Sequence, residues 1–223
     1  MPVRQGNGHS ENVSAEERIL AAATEEFAAN GFHGARTQAI ADAAGVNKAM
    51  LHYYYRSKDN LYRQVIAAAF KRILTRVSMS WVEQGPITDR VDNVVDSYMD
   101  GYEENPALLK IVLREVVDGG SRLKRAIAEL RKEFPFESRT PGFLIKEAAR
   151  EFGLAPADMV HFLVNLIGMC LVSFISPLII ESMIDFDVSD MKSFLKDRRK
   201  AIKTMVSASL GTLKTRKKGR SKV

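Results

Sequence analysis

The sequence predicts an all-α protein, and three observations carry that expectation. Nowhere in its 223 residues does an alternating apolar–polar run mark a strand. Apolar residues recur instead at three- and four-residue spacing, the period of a helix with one buried face. Glycine and proline punctuate these stretches at Gly31, Gly45, Gly85-Pro86, Pro106, Gly119-Gly120 and Pro135 to Pro141. The balance of 46% hydrophobic and 27% charged residues is that of an ordinary globular chain and excludes wholesale disorder.

The first helix starts at Ser14-Ala15-Glu16-Glu17, a capping-box pattern in which the serine hydroxyl and the glutamate each satisfy a free backbone N–H. Ile19, Ala23 and Phe27 follow at helical spacing, and Gly31 is expected to close the helix in a left-handed conformation. Thr37 is expected to cap a second, short helix with Ile40 and Ala44 facing inward. Gly45 breaks it, and Asn47 caps a third. On that third helix Leu51 and Tyr55 lie one turn apart and pack inward, which turns Lys48, Ala49, His52 and Tyr53 outward. Two short helices joined by a glycine turn, the second carrying outward hydrogen-bonding groups, form the pattern of a helix-turn-helix that reads duplex DNA.

Leu61 to Val77 reads as a longer amphipathic helix. Further helices are expected at about 89–104, 106–118, 121–133 and 141–152, then 157–184 and 189–210. The segment 159–180, MVHFLVNLIGMCLVSFISPLII, is long and apolar enough to be weighed as a membrane span. His161, Asn165, Ser173, Ser176 and Pro177 interrupt it, and no basic residue marks an edge, so it reads as a core or subunit-interface helix. The net charge is +6, but Lys214, Arg216, Lys217, Lys218, Arg220 and Lys222 supply an excess of that size, leaving the body near neutral. Residues 1–60 hold six Lys/Arg against seven Asp/Glu, so bulk charge does not argue for DNA binding and local geometry must. The domain organisation expected is a disordered start over 1–13, a DNA-binding domain over 14–75 with its motif at about 37–56, a second domain over 76–211, and a basic, solvated tail over 212–223. A polar beginning without an apolar signal core predicts a cytoplasmic location.

The stretch from Ile19 to Phe32, Thr37 with Ile40-Ala41, Ala44-Gly45-Val46, and the run from Asn47 to Leu61 with Ser57-Lys58 together resemble the TetR/AcrR family of bacterial transcriptional regulators. Asn47 stands where serine is common in that family, Ala49 where glycine is frequent, and His52 where tyrosine is common. These departures bear on the operator sequence, not on the fold. The resemblance implies a recognition helix from Lys48 to Tyr55 in the major groove. Thr37 and Asn47 would hold phosphate at helix N-termini. Lys48, Tyr53, Tyr54 and Lys58 would contact phosphates, while Ala49, Met50 and His52 would meet base edges: Ala49 or Met50 a thymine methyl, His52 a purine.

The resemblance also implies a homodimer on a palindromic operator, its four-helix bundle built from the last two long helices of each subunit. It implies a repressor released by a small, hydrophobic effector held in the second domain. The candidate cavity residues are Trp81, Tyr98, Tyr102, Phe136, Phe143, Phe162 and Met169, with His161 and Asn165 as polar anchors. No cofactor or metal is expected, since there is a single cysteine and the four histidines are scattered. No catalysis is expected either: Cys170 lies half a turn out of phase with His161, and no hydrolase, phosphate-loop or dinucleotide motif occurs. The alternatives are a dimeric architectural DNA-binding protein without a ligand, and a protein anchored in a membrane through 159–180.

Overall fold

The computed structural model describes residues 14–82, 85–133, 141–184 and 186–220, and all regular structure among them is helical. In chain order the helices are α1 (Ala15–Gly34), α2 (Thr37–Ala43), α3 (Lys48–Tyr55), α4 (Lys58–Val82), α5 (Ile87–Glu104) and α6 (Pro106–Val117). They continue with α7 (Ser121–Glu133), α8 (Pro141–Phe152), α9 (Pro156–Ile175), α10 (Pro177–Ile184) and α11 (Met191–Arg220).

Local chemistry sets most of the boundaries. The Glu17 N–H donates to Ser14 Oγ at 3.2 Å and the Ser14 N–H to Glu17 Oε2 at 2.9 Å, closing the capping box that starts α1. Gly31 takes φ 67° and kinks the chain, but helical structure runs on to Gly34. The N-cap of α2 is Arg36 without a side-chain bond, so Thr37 is the first helical residue and not the cap. Gly45 has φ 64° with open space around its missing Cβ. Conformation and not crowding asks for glycine there. Gly101 is the opposite case: a Cβ would come within 3.2 Å of Ile73 Cγ1, so its absence lets α5 lie close against α4.

Two apolar cores share α4 and, through Leu108 in one and Ala107 and Ile111 in the other, α6. The first gathers Ile19 and Phe27 of α1, Ile40 of α2, Leu51 and Tyr55 of α3, and Leu61, Tyr62 and Ile66 from the front of α4. The second gathers Ile73 and Trp81 from the back of α4 with buried faces of α5, α8, α9 and α11. At 25 residues α4 spans roughly 37 Å, enough to serve both. Ala107 and Ile111 of α6 and Ala126 of α7 belong to the first core although they follow α5 in sequence.

A polar cluster fixes α6 and α7 to the first core. Arg114 Nη1 donates to Ala28 O at 2.9 Å, so a cation sits on the carbonyls near the end of α1, where the helix dipole favours positive charge. Glu115 is 2% exposed. It accepts from Arg122 Nη1 at 3.5 Å and from the Leu123 N–H at 3.3 Å. Burial and pairing with the Glu115 carboxylate hold the Tyr62 phenol above its usual range. The Arg122 guanidinium lies 3.7 Å from the centre of the Phe32 ring, and Arg63 of α4 pairs with Glu129 of α7. On the other side of the molecule Arg199 and Lys203 of α11 bridge Asp96 of α5 at 3.0 and 2.7 Å.

Two boundaries differ from the sequence reading. The segment expected as one helix over 157–184 breaks after Ile175, because Pro177 has no N–H to donate and its ring crowds the preceding turn. The tail expected as a solvated end continues as backbone helix in α11 through Arg220. Residues 1–13 and Phe136 lie outside the described residues.

Gly45→Ala is expected to lower the unfolding free energy by about 1–2 kcal/mol, the penalty for a Cβ in the left-handed region, measured by denaturant titration. Glu115→Ala leaves Arg122 without its buried partner and is expected to cost about 3 kcal/mol in the same titration.

Candidate nucleic-acid interface and interior cavity

Three features hold α3 at the surface of the first core. The Val46 N–H donates to Ala41 O at 3.0 Å, and the Gly45 N–H to Asp42 O at 3.2 Å, which fixes the turn after α2. The Met50 N–H donates to Asn47 Oδ1 at 2.7 Å, capping α3 with the side chain the sequence points to. Leu51 and Tyr55 then fill the core, and the Tyr55 hydroxyl reaches Glu16 O at 3.3 Å. With those two residues locked inside, Lys48, Ala49, Met50, His52, Tyr53 and Tyr54 are exposed together on the outer side. Tyr53 is 68% exposed, unusual for an aromatic without a partner surface. Its ring meets that of Tyr54 edge-on at 5.5 Å.

The remaining candidates separate by environment. Asn47 is exposed at the N-terminus of α3, while Thr37 is half-buried at the start of α2. Lys58 is half-buried and has partners inside the protein: its ammonium donates to His33 O at 3.2 Å and lies 5.2 Å from the Phe32 ring centre. Burial pulls its pKa below the usual lysine range. Lys58 therefore caps the end of α1 in this structure.

The sequence reading passed over Arg36, Gln38 and Arg56 as site residues. All three are exposed around α2 and α3. Arg56 stacks on Tyr53 at 5.6 Å and, with φ 61°, takes the left-handed conformation that ends α3. The arginines and Lys48 have no ion pair among the described residues. A scan for cations flanking the two short helices would have found Arg36 and Arg56, even though the region's net charge is negative.

In the second core a cavity of about 80 Å³ lies between α4, α5, α8 and α9. Its walls are apolar: Leu74, Val77 and Trp81 from α4, Val94 and Tyr98 from α5, Phe152 from α8, and Phe162 and Leu166 from α9. The Ser78 hydroxyl, which also lines it, donates to Leu74 O at 2.7 Å and is satisfied. The aromatic candidates do not all meet here. Trp81, Tyr98 and Phe162 line the cavity, whereas Tyr102 packs on Phe174 at 5.6 Å between ring centres. His161, Asn165 and Met169 line a separate surface groove with Val206 and Ser209 of α11. The side chain of Phe143 lies outside the described set. Leu74, Val77, Ser78 and Trp81 recur at helical spacing along α4, a signal that a search for aromatics alone overlooked.

Cys170 is fully buried, and burial pushes its thiol up to about 12. At neutral pH it is protonated and packed, with no nucleophilic character. Among the described residues no group of His, Cys, Asp and Glu could hold a metal ion.

Residues 19–65 match the family of bacterial regulatory proteins described as the tetR family. The chain is 45% identical over 65 residues to the HTH-type transcriptional regulator RutR of Escherichia coli, covering 29% of this chain and 31% of RutR. It is 29% identical over 104 residues to the HTH-type transcriptional repressor SCO4008 of Streptomyces coelicolor, 47% of this chain and 50% of that protein. The chain thus spans between about a third and a half of these relatives. Among solved structures, the fatty acid degradation regulator FadR of Bacillus halodurans superposes with a TM-score of 0.64, covering 85% of this chain and 96% of FadR at 17% identity. At that identity the likeness speaks for fold alone. The capped α3, the glycine turn before it and the match over residues 19–65 identify a helix-turn-helix unit of the tetR type in that segment, and the all-helical frame around it is shared with FadR.

Proposed function

We propose that this protein is a dimeric DNA-binding transcriptional repressor, released from a palindromic operator when a small hydrophobic effector occupies the cavity between α4, α5, α8 and α9. One observation carries the DNA-binding half. Leu51 and Tyr55 lock α3 to the core, so Lys48, Ala49, Met50, His52, Tyr53 and Tyr54 share one exposed face free of internal work. Lys48, Tyr53 and Tyr54 take phosphates and set register, with Asn47 and Thr37 offering helix N-termini. Ala49, Met50 and His52 meet base edges in the major groove. Arg36 and Arg56 extend the cationic rim that a phosphate backbone favours. Lys58 serves this surface by holding the end of α1.

The release half rests on α4. A ligand that widens the cavity pushes Leu74, Val77 and Trp81, and the same rigid helix carries Leu61, Tyr62 and Ile66 in the first core. A tilt of α4 therefore moves α3. The Arg114, Glu115 and Arg63 contacts hold α6 and α7 to the same unit, so the first core moves as one body. Effector binding shifts the population only to the extent that it prefers the state in which α3 and its copy no longer match the groove spacing, roughly 34–36 Å.

Dimerisation is supported by exposed apolar residues on the last helices: Val160, Val164 and Val172 on α9, and Met205 on α11. The helix Pro156–Ile175 is long and apolar enough to cross a membrane, yet Met159, Leu166 and Cys170 anchor one side of it in the second core. Two such helices from each subunit bury the opposite side in a four-helix bundle. A cytoplasmic location follows from that reading, since the operator is there.

Lys48→Ala is expected to weaken binding to all duplex sequences and to reduce the salt slope of log K by about one; fluorescence anisotropy across a salt series reads it. An unchanged slope places Lys48 off the phosphates. His52→Ala is expected to relax preference at one operator position, read by selection from a randomised duplex library, whereas uniform loss removes the base-reading role. A compound that raises the melting temperature of the chain is expected to release the selected operator. Stabilisation without release favours a ligand-independent architectural role.

A further inference from the structure

The positive excess of this chain sits at the end of the molecule away from α3. Lys214, Arg216, Lys217, Lys218 and Arg220 fall on the last turns of α11, Lys222 follows them, and no acidic residue follows Asp197. The register of α11 on α5 says where those turns lead. Arg199 meets Asp100 at 2.6 Å and Lys203 meets Asp96 at 2.7 Å. Ser207 shares a groove with Asp92, one turn further on. The two helices are therefore antiparallel, and continuing the register sets Gly211 level with Thr88. Since α5 begins at Ile87, residues 212–220 run past its start.

That start lies at the opposite end of α4 from the helix-turn-helix unit. α5 is antiparallel to α4 as well: Arg76 meets Glu104 at 2.7 Å, and the Ser80 and Ser97 hydroxyls meet at 2.7 Å. α3 packs on Leu61 at the front of α4, while α5 begins beyond Val82 at its back. From Leu61 to Val82 the helix rises about 30 Å, and residues 212–220 carry the basic turns about 13 Å further. A duplex held by α3 is out of their reach. The two-fold axis of the proposed dimer, which sets both copies of α3 on one duplex, sets both basic ends on the side away from it.

With about 3.6 residues per turn, the five basic helical positions spread over more than half of the circumference. Thr212, Thr215 and Gly219 take the rest, and the apolar Leu213 falls within the basic arc. A helix lying in a lipid surface needs an apolar face opposite its charges, and this stretch has none. A cationic helix without such a face matches the phosphate backbone of nucleic acid, which asks for charge and not for particular side chains. A protein seated on its operator is also surrounded by duplex at high local concentration. We propose that the basic end of α11 is a second DNA site without sequence preference, which takes a duplex segment other than the one on α3, so that one dimer bridges two segments. The proposal goes beyond repression and release, and it is independent of any effector.

The full chain is bound to its selected operator, immobilised through one end, and offered a short labelled duplex of mixed sequence. Capture of the second duplex is the expected result. Neutralising six phosphates gives that capture a salt slope of about −5, roughly a thousandfold loss of affinity between about 50 and 200 mM salt. A variant with glutamine at all six basic positions keeps helix propensity without the charge. It is expected to hold the operator within about twofold of the parent and to capture at least tenfold less. Lys217→Gln with Lys218→Gln alone is expected to flatten the capture slope by about two. A parent that captures no second duplex overturns the proposal, as does a six-glutamine variant that captures as well as the parent. Loss of operator affinity in that variant puts the basic turns on the α3 duplex and overturns it too. Phosphatidylglycerol vesicles that bind through the same six residues more tightly than duplex does assign the site to a lipid surface instead. The functional reading fails separately. If selection returns no operator, anisotropy of the mixed-sequence duplex on parent and six-glutamine variant still reads the basic end, and Lys48→Ala leaves that difference in place.

Discussion

The structure depends on α4 belonging to two cores, with α6 as a smaller second link between them. α4 contributes Leu61, Tyr62 and Ile66 to the packing under α3, and Ile73 and Trp81 to the packing around the cavity. Close-packed interiors do not deform smoothly, so a helix embedded in both must move as a rod or not at all. The Gly101 contact with Ile73 tightens the same constraint by bringing α5 against α4 without an intervening side chain. The proposed coupling between the two ends runs through α4, with α6 packed in both cores beside it.

What α4 joins is kept distinct by different kinds of force. The first core is sealed by aromatic packing, with the Phe27 and Tyr62 rings edge-on at 4.7 Å, and by the buried Glu115 cluster. The second has aromatic pairs of its own, Trp81 with Phe152 at 6.2 Å among them, and is held at its rim by the ion pairs of α11 with α5. A buried, multiply bonded carboxylate resists partial opening, because an exposed half-network is worse than none. On the proposed reading a ligand deforms the cavity side, which holds open space, and displaces the first core as a unit.

Much of the helix-turn-helix unit was legible in the sequence because its determinants are local. The Ser14–Glu17 box, the left-handed Gly45 and the Asn47 cap each act within three residues. The Leu51–Tyr55 spacing alone assigns the inner and outer faces of α3. What sequence reading missed depends on distance along the chain. Lys58 reads as a phosphate contact beside the motif, and only the fold brings His33 O and Phe32 of α1 to it. Nothing near Arg122 announces Phe32, and nothing near Glu115 announces Tyr62. His161 and Asn165 share a helix face as expected, but that face opens on a groove beside α11 and not on the cavity. The single helix expected over 157–184 failed on one residue, Pro177, whose effect was outweighed by the hydrophobicity on either side.

The central claim, that pressure on the cavity wall moves α3, can be tested without knowing the ligand. Ala148 lines the cavity from α8 and is buried, so Ala148→Phe fills it from within. A spin label attached through Gln38→Cys, on the exposed surface of α2, reports the separation of the two DNA-binding units in the proposed dimer by pulsed electron resonance, with the buried Cys170 out of reach of the reagent. The account predicts that the label-to-label distance shifts by several ångströms in the filled variant and that operator affinity falls with it. A folded Ala148→Phe dimer with the unfilled distance would contradict it.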